Sequence, residues 1–148
     1  MNPFVLLHAR SGSGEDQAIV NDAFDLARAR NPQLRLLAVA PDCESELLQG
    51  ADLLVCLGTD PAAAIAIPRA QALGLPVLVV DGGQAAELVE SGRSGVIAPA
   101  SAVQLSDAIR WLARRAPVRA RLRAGGLLVA GTRVAPTRPD APVAPVAA

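Results

Sequence analysis

Short apolar runs alternate along the chain with longer stretches whose apolar residues recur every three or four positions. Phe4–His8 is a brief apolar run of the kind that forms a buried strand. A Gly/Ser loop, Ser11–Gly14, leads into Glu15–Arg30, where Ile19, Val20, Ala23, Phe24 and Ala27 fall on one helical face. Asn31-Pro32 ends that helix, because the residue before proline is forced out of the helical region. Leu34–Ala40 reads as a second strand. Asp42–Gln49 is a short helix with Asp42 as its N-cap, and Asp52–Leu57 is a third strand.

The rhythm then repeats. Pro61–Leu73 is Ala-rich and helical, with Pro68 predicting a kink or a late start. Gly74 is a natural C-cap. Pro76–Val80 is a fourth strand, Asp81–Gly83 a turn, Gln84–Ser91 a helix closed by Gly92, and Gly95–Ala98 a fifth strand. Ser101 and Gln104 have capping-box spacing, and the helix they open carries Leu105, Ala108, Ile109 and Leu112 on one face. Residues 117–123 add a basic helical piece. Gly125–Ala130 fits neither period cleanly. Beyond Gly131 the chain is Pro/Ala-rich, a composition that predicts disorder. The resulting division is a folded domain over 1–126 and a disordered tail over 127–148.

Strands that alternate with helices imply right-handed crossovers and a parallel sheet with helices on both faces. The expected fold class is therefore α/β, a doubly wound, Rossmann-like three-layer sheet of about five strands in the order 2-1-3-4-5. Ligands of such sheets bind beyond the carboxyl ends of the strands. That rim would hold Ala9–Gly14, Gly58–Ala62 and Asp81–Gln84.

Composition narrows the chemistry. Hydrophobic residues make up 51% of the 148, yet there are two Phe, one Trp and no Tyr, so Leu, Val, Ile and Ala must build the core. Net charge is zero but unevenly spread: residues 1–108 carry 6 Arg against 13 acidic residues, and residues 109–148 carry 8 Arg against Asp140. A solvated helix face with a basic tail accounts for the skew, and so does attraction to an anionic membrane. Nucleic acid is not an expected partner, because a single strand wants aromatic platforms that this chain lacks. One His and two distant Cys, Cys43 and Cys56, cannot build an ordinary zinc site, and no metal or resident cofactor is expected. No apolar run reaches spanning length and no secretory leader is visible. The expected location is the cytoplasm, with the inner membrane face as a place of peripheral attachment.

Several rim residues could meet a ligand. Ser11-Gly12-Ser13-Gly14 precedes a helix N-terminus and could cradle phosphate, although no Gly-Lys-Ser/Thr follows and a plain turn explains it equally. Gly82, Gly83 and Gln84 open the fourth loop, where glycine permits close approach to a ligand. Glu87 could accept from a hydroxyl or stabilise its helix. Asp60 could face a sugar or simply cap the following helix. Arg69 reads as a surface residue or a partner of Asp60 or Glu87. His8 reads as a satisfied structural histidine at the end of its strand.

From Ala51 onward the text resembles the group 1 retaining glycosyltransferases of the GT-B fold. Ala51-Asp52-Leu53-Leu54-Val55 is similar to "ADVFV", and Ala70–Val77 to "AMACGLPVV". Asp81–Gly92 is similar to "DVGGIPEIVEDG", and Gly95–Pro99 to "GLLVP". Upstream, Phe4–Arg10 is similar to "VLLFVGR". Residues 101–123 fit the closing "ALAEAI…LL…R" helices, so five pieces stand in order from Ala51, and with the upstream strand the resemblance covers about residues 4–126 and implies the C-terminal half that binds a nucleoside diphosphate sugar. In that family the acceptor binds a separate N-terminal half, so a separate acceptor-binding chain is a candidate partner, and a homo-oligomer is another.

The resemblance also implies roles. Arg10 takes the place of the arginine that grips the diphosphate and Glu87 that of a family glutamate; Gly12, Gly14, Gly82, Gly83 and Gln84 join them as donor-binding candidates from their place on the rim. Asp60 is the nearest match to the carboxylate beside the sugar, and so the candidate catalytic residue. Departures point the other way. Arg69 stands where the ribose-binding glutamate belongs, and a guanidinium has no acceptor. Glu15 reverses the charge of the second phosphate-binding residue. The segment between strands two and three is short by about one strand and one helix. The implied protein is a truncated or catalytically degenerate donor-binding domain; the alternative is a non-catalytic interaction domain that pairs with another chain or an anionic membrane through Arg110–Arg123. A receiver-like domain would share the strand order but lacks the acidic cluster and lysine of phosphoacceptor chemistry.

Overall fold

A computed structural model describes residues 3–10 and 17–134. Five strands form one parallel sheet: β1 (Phe4–Ala9), β2 (Leu34–Val39), β3 (Leu53–Leu57), β4 (Val77–Val80) and β5 (Val96–Ala98). Their order is β2-β1-β3-β4-β5, as the sequence predicts. Helices α1 (Gln17–Arg30), α2 (Ser45–Gln49) and α3 (Pro61–Ala72) connect the first four strands, and α4 (Ala102–Arg114) and α5 (Ala116–Val134) follow β5.

Alternation along each strand feeds two separate cores. On one face, Leu6, Leu53, Val55, Leu57, Leu78 and Val80 pack against α1 and α4. On the other, Leu7, Leu54, Cys56, Val77 and Val79 pack against α3, whose contribution is small: Ala63, Ala66, Ile67 and Ala70. Alanine there lets the helix lie close to the sheet, which explains why so Ala-rich a segment is core. Helix α3 starts at Pro61, a position where the missing amide costs nothing, and Asp60 caps it. Pro68 does not delay the helix. The carbonyl it leaves unbonded, that of Ala64, lies on the exposed side, where solvent can hydrate it.

Three elements differ from expectation. The fourth loop continues into a 3₁₀ turn over Ala85–Leu88 instead of a helix to Ser91. The buried Gln71 side chain takes the Leu88 carbonyl, and Ser91 bridges to Gly95, so the chain is drawn away from helix. Helix α2 begins at Ser45, after Glu44, with no side-chain cap from Asp42. Helix α5 runs through residue 126 to Val134, so the expected boundary between domain and tail falls inside a helix; residues 135–148 lie outside the described residues.

Helix α5 lies along the amino ends of the strands. Arg119 stacks its guanidinium over the Phe4 ring at the start of β1, 5.1 Å from the centroid. The same side chain donates to the Leu112 and Ala113 carbonyls, satisfying the end of α4. Leu122 is fully buried in the first core. Gly125 meets the Arg93 carbonyl just before β5, and Gly126 meets Gln71 just before β4. The carboxyl ends of the strands stay open on the opposite rim.

Candidate functional site

The carboxyl rim gathers four loop ends. Arg10 follows β1, with its amide donating to the Val39 carbonyl at 3.1 Å, and its side chain is exposed. Gly58 and Thr59 follow β3, Asp81–Gln84 follow β4, and Pro99 follows β5. Gly12, Gly14 and Glu15 lie outside the described residues.

The third and fourth loops are packed backbone against backbone. A Cβ on Gly58 would strike the Gly82 carbonyl and lie 2.6 Å from that of Val80. A Cβ on Gly83 would strike the Gly58 carbonyl and lie 2.9 Å from Thr59 Cα. Gly82 and Gly83 also have φ of 127° and 68°, a region other residues rarely enter. Their conformational freedom thus serves the seam between the loops, and Gly58, which composition alone does not single out, is the third member. Asp81 closes the turn by accepting from the Gly82 amide at 2.9 Å. Gln84 and Glu87 are exposed beyond it, and the Glu87 amide donates to the Gln84 carbonyl at 3.1 Å.

Asp60 is buried, and its Oδ1 accepts from the Ala62 amide at 2.9 Å. Its carboxylate caps α3 and is a fixed negative charge under the rim. His8 is also buried, on the α1/α4 face of β1. Burial drives its imidazole down to about 4, Arg10 pushes the same way, and Asp60 opposes both. His8 is therefore neutral at ordinary pH. The expected satisfied histidine is only half realised: it is structural in its burial, yet Nε2 finds no partner among the described residues.

Arg69 does not turn to Asp60 or Glu87. It donates to the Pro41 carbonyl at 2.9 Å and to that of Cys43. It therefore ties the connection between β2 and α2 to α3, where no second strand and helix fill the gap. Among the described residues no group of His, Cys, Asp and Glu could hold a metal ion.

The comparisons decide the family. The model for "Glycosyl transferases group 1" matches residues 11–115. The chain belongs to the group 1 glycosyltransferases. Among curated proteins none matches it. Among solved structures, Anabaena Alr3699/HepE in complex with UDP and glucose superposes with a TM-score of 0.73 at 24% identity, over 89% of this chain and 44% of that one. The pneumococcal O-GlcNAc transferase GtfA, in complex with UDP and GlcNAc, gives 0.70 at 17%, over 88% and 33%. WaaG, a glycosyltransferase involved in lipopolysaccharide biosynthesis, gives 0.66 at 21%, over 88% and 43%. These likenesses establish a shared fold, and this group 1 chain spans less than half the length of each.

Proposed function

We propose that this group 1 domain binds a nucleoside diphosphate sugar across its carboxyl rim and needs a second wall to transfer the sugar. What carries the reading is Arg10 standing at the end of β1 on the same rim as the Gly58–Gly82–Gly83 seam and the exposed Glu87. Arg10 pairs with the diphosphate, and Gln84 and Glu87 face donor hydroxyls. Asp60 supports the floor of the site through its cap, and acts on the sugar only as a distant charge.

Transfer itself requires two substrates held in register and water kept out. One rim cannot do this, and Arg69, committed to the Pro41 and Cys43 carbonyls, offers no acceptor to a ribose. An acceptor-binding unit facing the rim would supply that second wall. Titration calorimetry with nucleoside diphosphates and nucleotide sugars tests the proposal. Millimolar or tighter binding is expected, weakened about ten- to a hundredfold by Arg10→Ala, since a charged hydrogen-bonded pair contributes roughly 1.5–3 kcal/mol. No heat with any nucleoside diphosphate at millimolar concentration would sink it.

A further inference from the structure

The basic helix does not present its arginines outward as a solid face. Helix α5 turns Leu122, Gly125 and Gly126 inward. At 100° per residue, its opposite side carries Pro117, Ala120, Ala124, Leu127 and Leu128, all exposed, with Leu128 at 65% and Leu127, at the edge, also reaching Gly74 ahead of β4. Arg121 borders this strip on one side and Arg123 on the other. Arg114 and Arg115 stand at its beginning, and Trp111, one turn earlier on α4, is 37% exposed. The acids at its margins are already matched: Asp107 by Arg110 and Glu90 by Arg93, each at 3.8 Å.

We propose that this face of α5 lies on an anionic lipid bilayer. An apolar strip about 18 Å long, taking 1.5 Å per residue over Pro117–Leu128, with arginines along both edges, suits shallow insertion between headgroups. Self-pairing would set Arg121 and Arg123 of one copy against those of the other, so charge favours lipid over a second copy. Because α5 underlies the amino ends of the strands, the carboxyl rim would point away from the bilayer. The inference does not rest on donor binding.

Flotation with phosphatidylcholine vesicles, with and without phosphatidylglycerol, tests it on the full chain. Trp111, the sole tryptophan, gives an independent readout through a blue shift. Binding should require the anionic lipid and be released by high salt. The triple variant Arg114→Gln, Arg115→Gln, Arg121→Gln should bind about a hundredfold more weakly, from roughly fivefold per arginine near such a surface. Leu127→Ser with Leu128→Ser should abolish the blue shift. These side chains are exposed, and unchanged nucleoside diphosphate titration or circular dichroism certifies the fold. Failure to float with anionic vesicles at low salt overturns the proposal. So does binding that ignores Leu127→Ser with Leu128→Ser, equal binding to polyglutamate or an oligonucleotide, or a dimer that those leucine changes dissolve.

Discussion

Replacing Gly58 by alanine puts a methyl group against the carbonyls of Gly82 and Val80, the second only 2.6 Å from the new carbon. Close C–H···O contacts settle at about 3.3–3.6 Å, so one loop must move by more than half an ångström. Neither obstacle is a flexible side chain. Overpacking costs about 1–3 kcal/mol, and two backbone obstacles put the expected loss near 3 kcal/mol. Gly83→Ala meets the same seam from the other side and adds a left-handed φ of 68°, worth about 1–2 kcal/mol, for a total of about 4–5 kcal/mol. Gly92→Ala separates the two effects. Its φ is 84° with nothing within 4 Å of a new Cβ, so it should lose only the conformational part, about 1 kcal/mol. Urea unfolding at constant m value gives the three differences, and each kcal/mol should lower Tm by about 2–4 °C. If Gly58→Ala stays within about 0.5 kcal/mol of the parent, or Gly83→Ala is no worse than Gly92→Ala, the loops do not meet as described. The glycines would then have to be explained by a ligand.

The His8 imidazole sits near 4 in the folded chain against an ordinary 6.5. Below pH 6.5 the unfolded chain takes a proton that the folded one refuses. Stability is therefore whole above pH 6.5 and falls toward pH 4 by up to about 1.4 kcal/mol per pH unit; His8→Leu should flatten that slope, and an unchanged slope would refute the assignment. Burial pushes the Cys56 thiol well above its usual range, while Cys43 is half-exposed, so a thiol reagent should label Cys43 alone until the protein unfolds. Peptide mapping that finds Cys56 labelled in the native state contradicts this. Arg69→Met leaves the Pro41 and Cys43 carbonyls without their donor and should cost about 2 kcal/mol, with faster hydrogen exchange over residues 40–44. Unchanged exchange there would mean that the tether is idle.

The strand order was readable because each β-segment is a short apolar run and each major helix keeps its period. Leu53–Leu57 and Val77–Val80 are buried on both faces, and α1 and α4 each present one apolar stripe. What escaped depends on contacts between distant residues. Nothing near Ala85 reveals that Gln71 will take the Leu88 carbonyl, and this is what stops a helix there. Gly125-Gly126 looks like a terminus by propensity, since each glycine weakens a helix by about 1 kcal/mol. In the fold the pair is a point of close approach: a side chain at residue 125 would strike the Arg93 carbonyl, and a Cβ at residue 126 would rest in contact with Gln71. The rim was placed correctly by the strand ends. The roles of its glycines were not, because Gly58 and Gly83 lie 25 residues apart and meet only once β3 and β4 are paired.

Helix α5 is the last described element to leave the ribosome, yet it touches the first. Arg119 covers Phe4, Leu122 fills the first core, Gly125 meets the turn ahead of β5, and Arg123 and Leu127 meet Gly74 in the turn ahead of β4. Its own sequence offers little reason to stay helical past residue 124 without those turns beneath it. During synthesis, the sheet can therefore assemble strand by strand but stays unfloored until residue 134 has emerged. A nascent chain arrested at residue 115 should be open to protease at its strand beginnings, and one released beyond 134 should be closed.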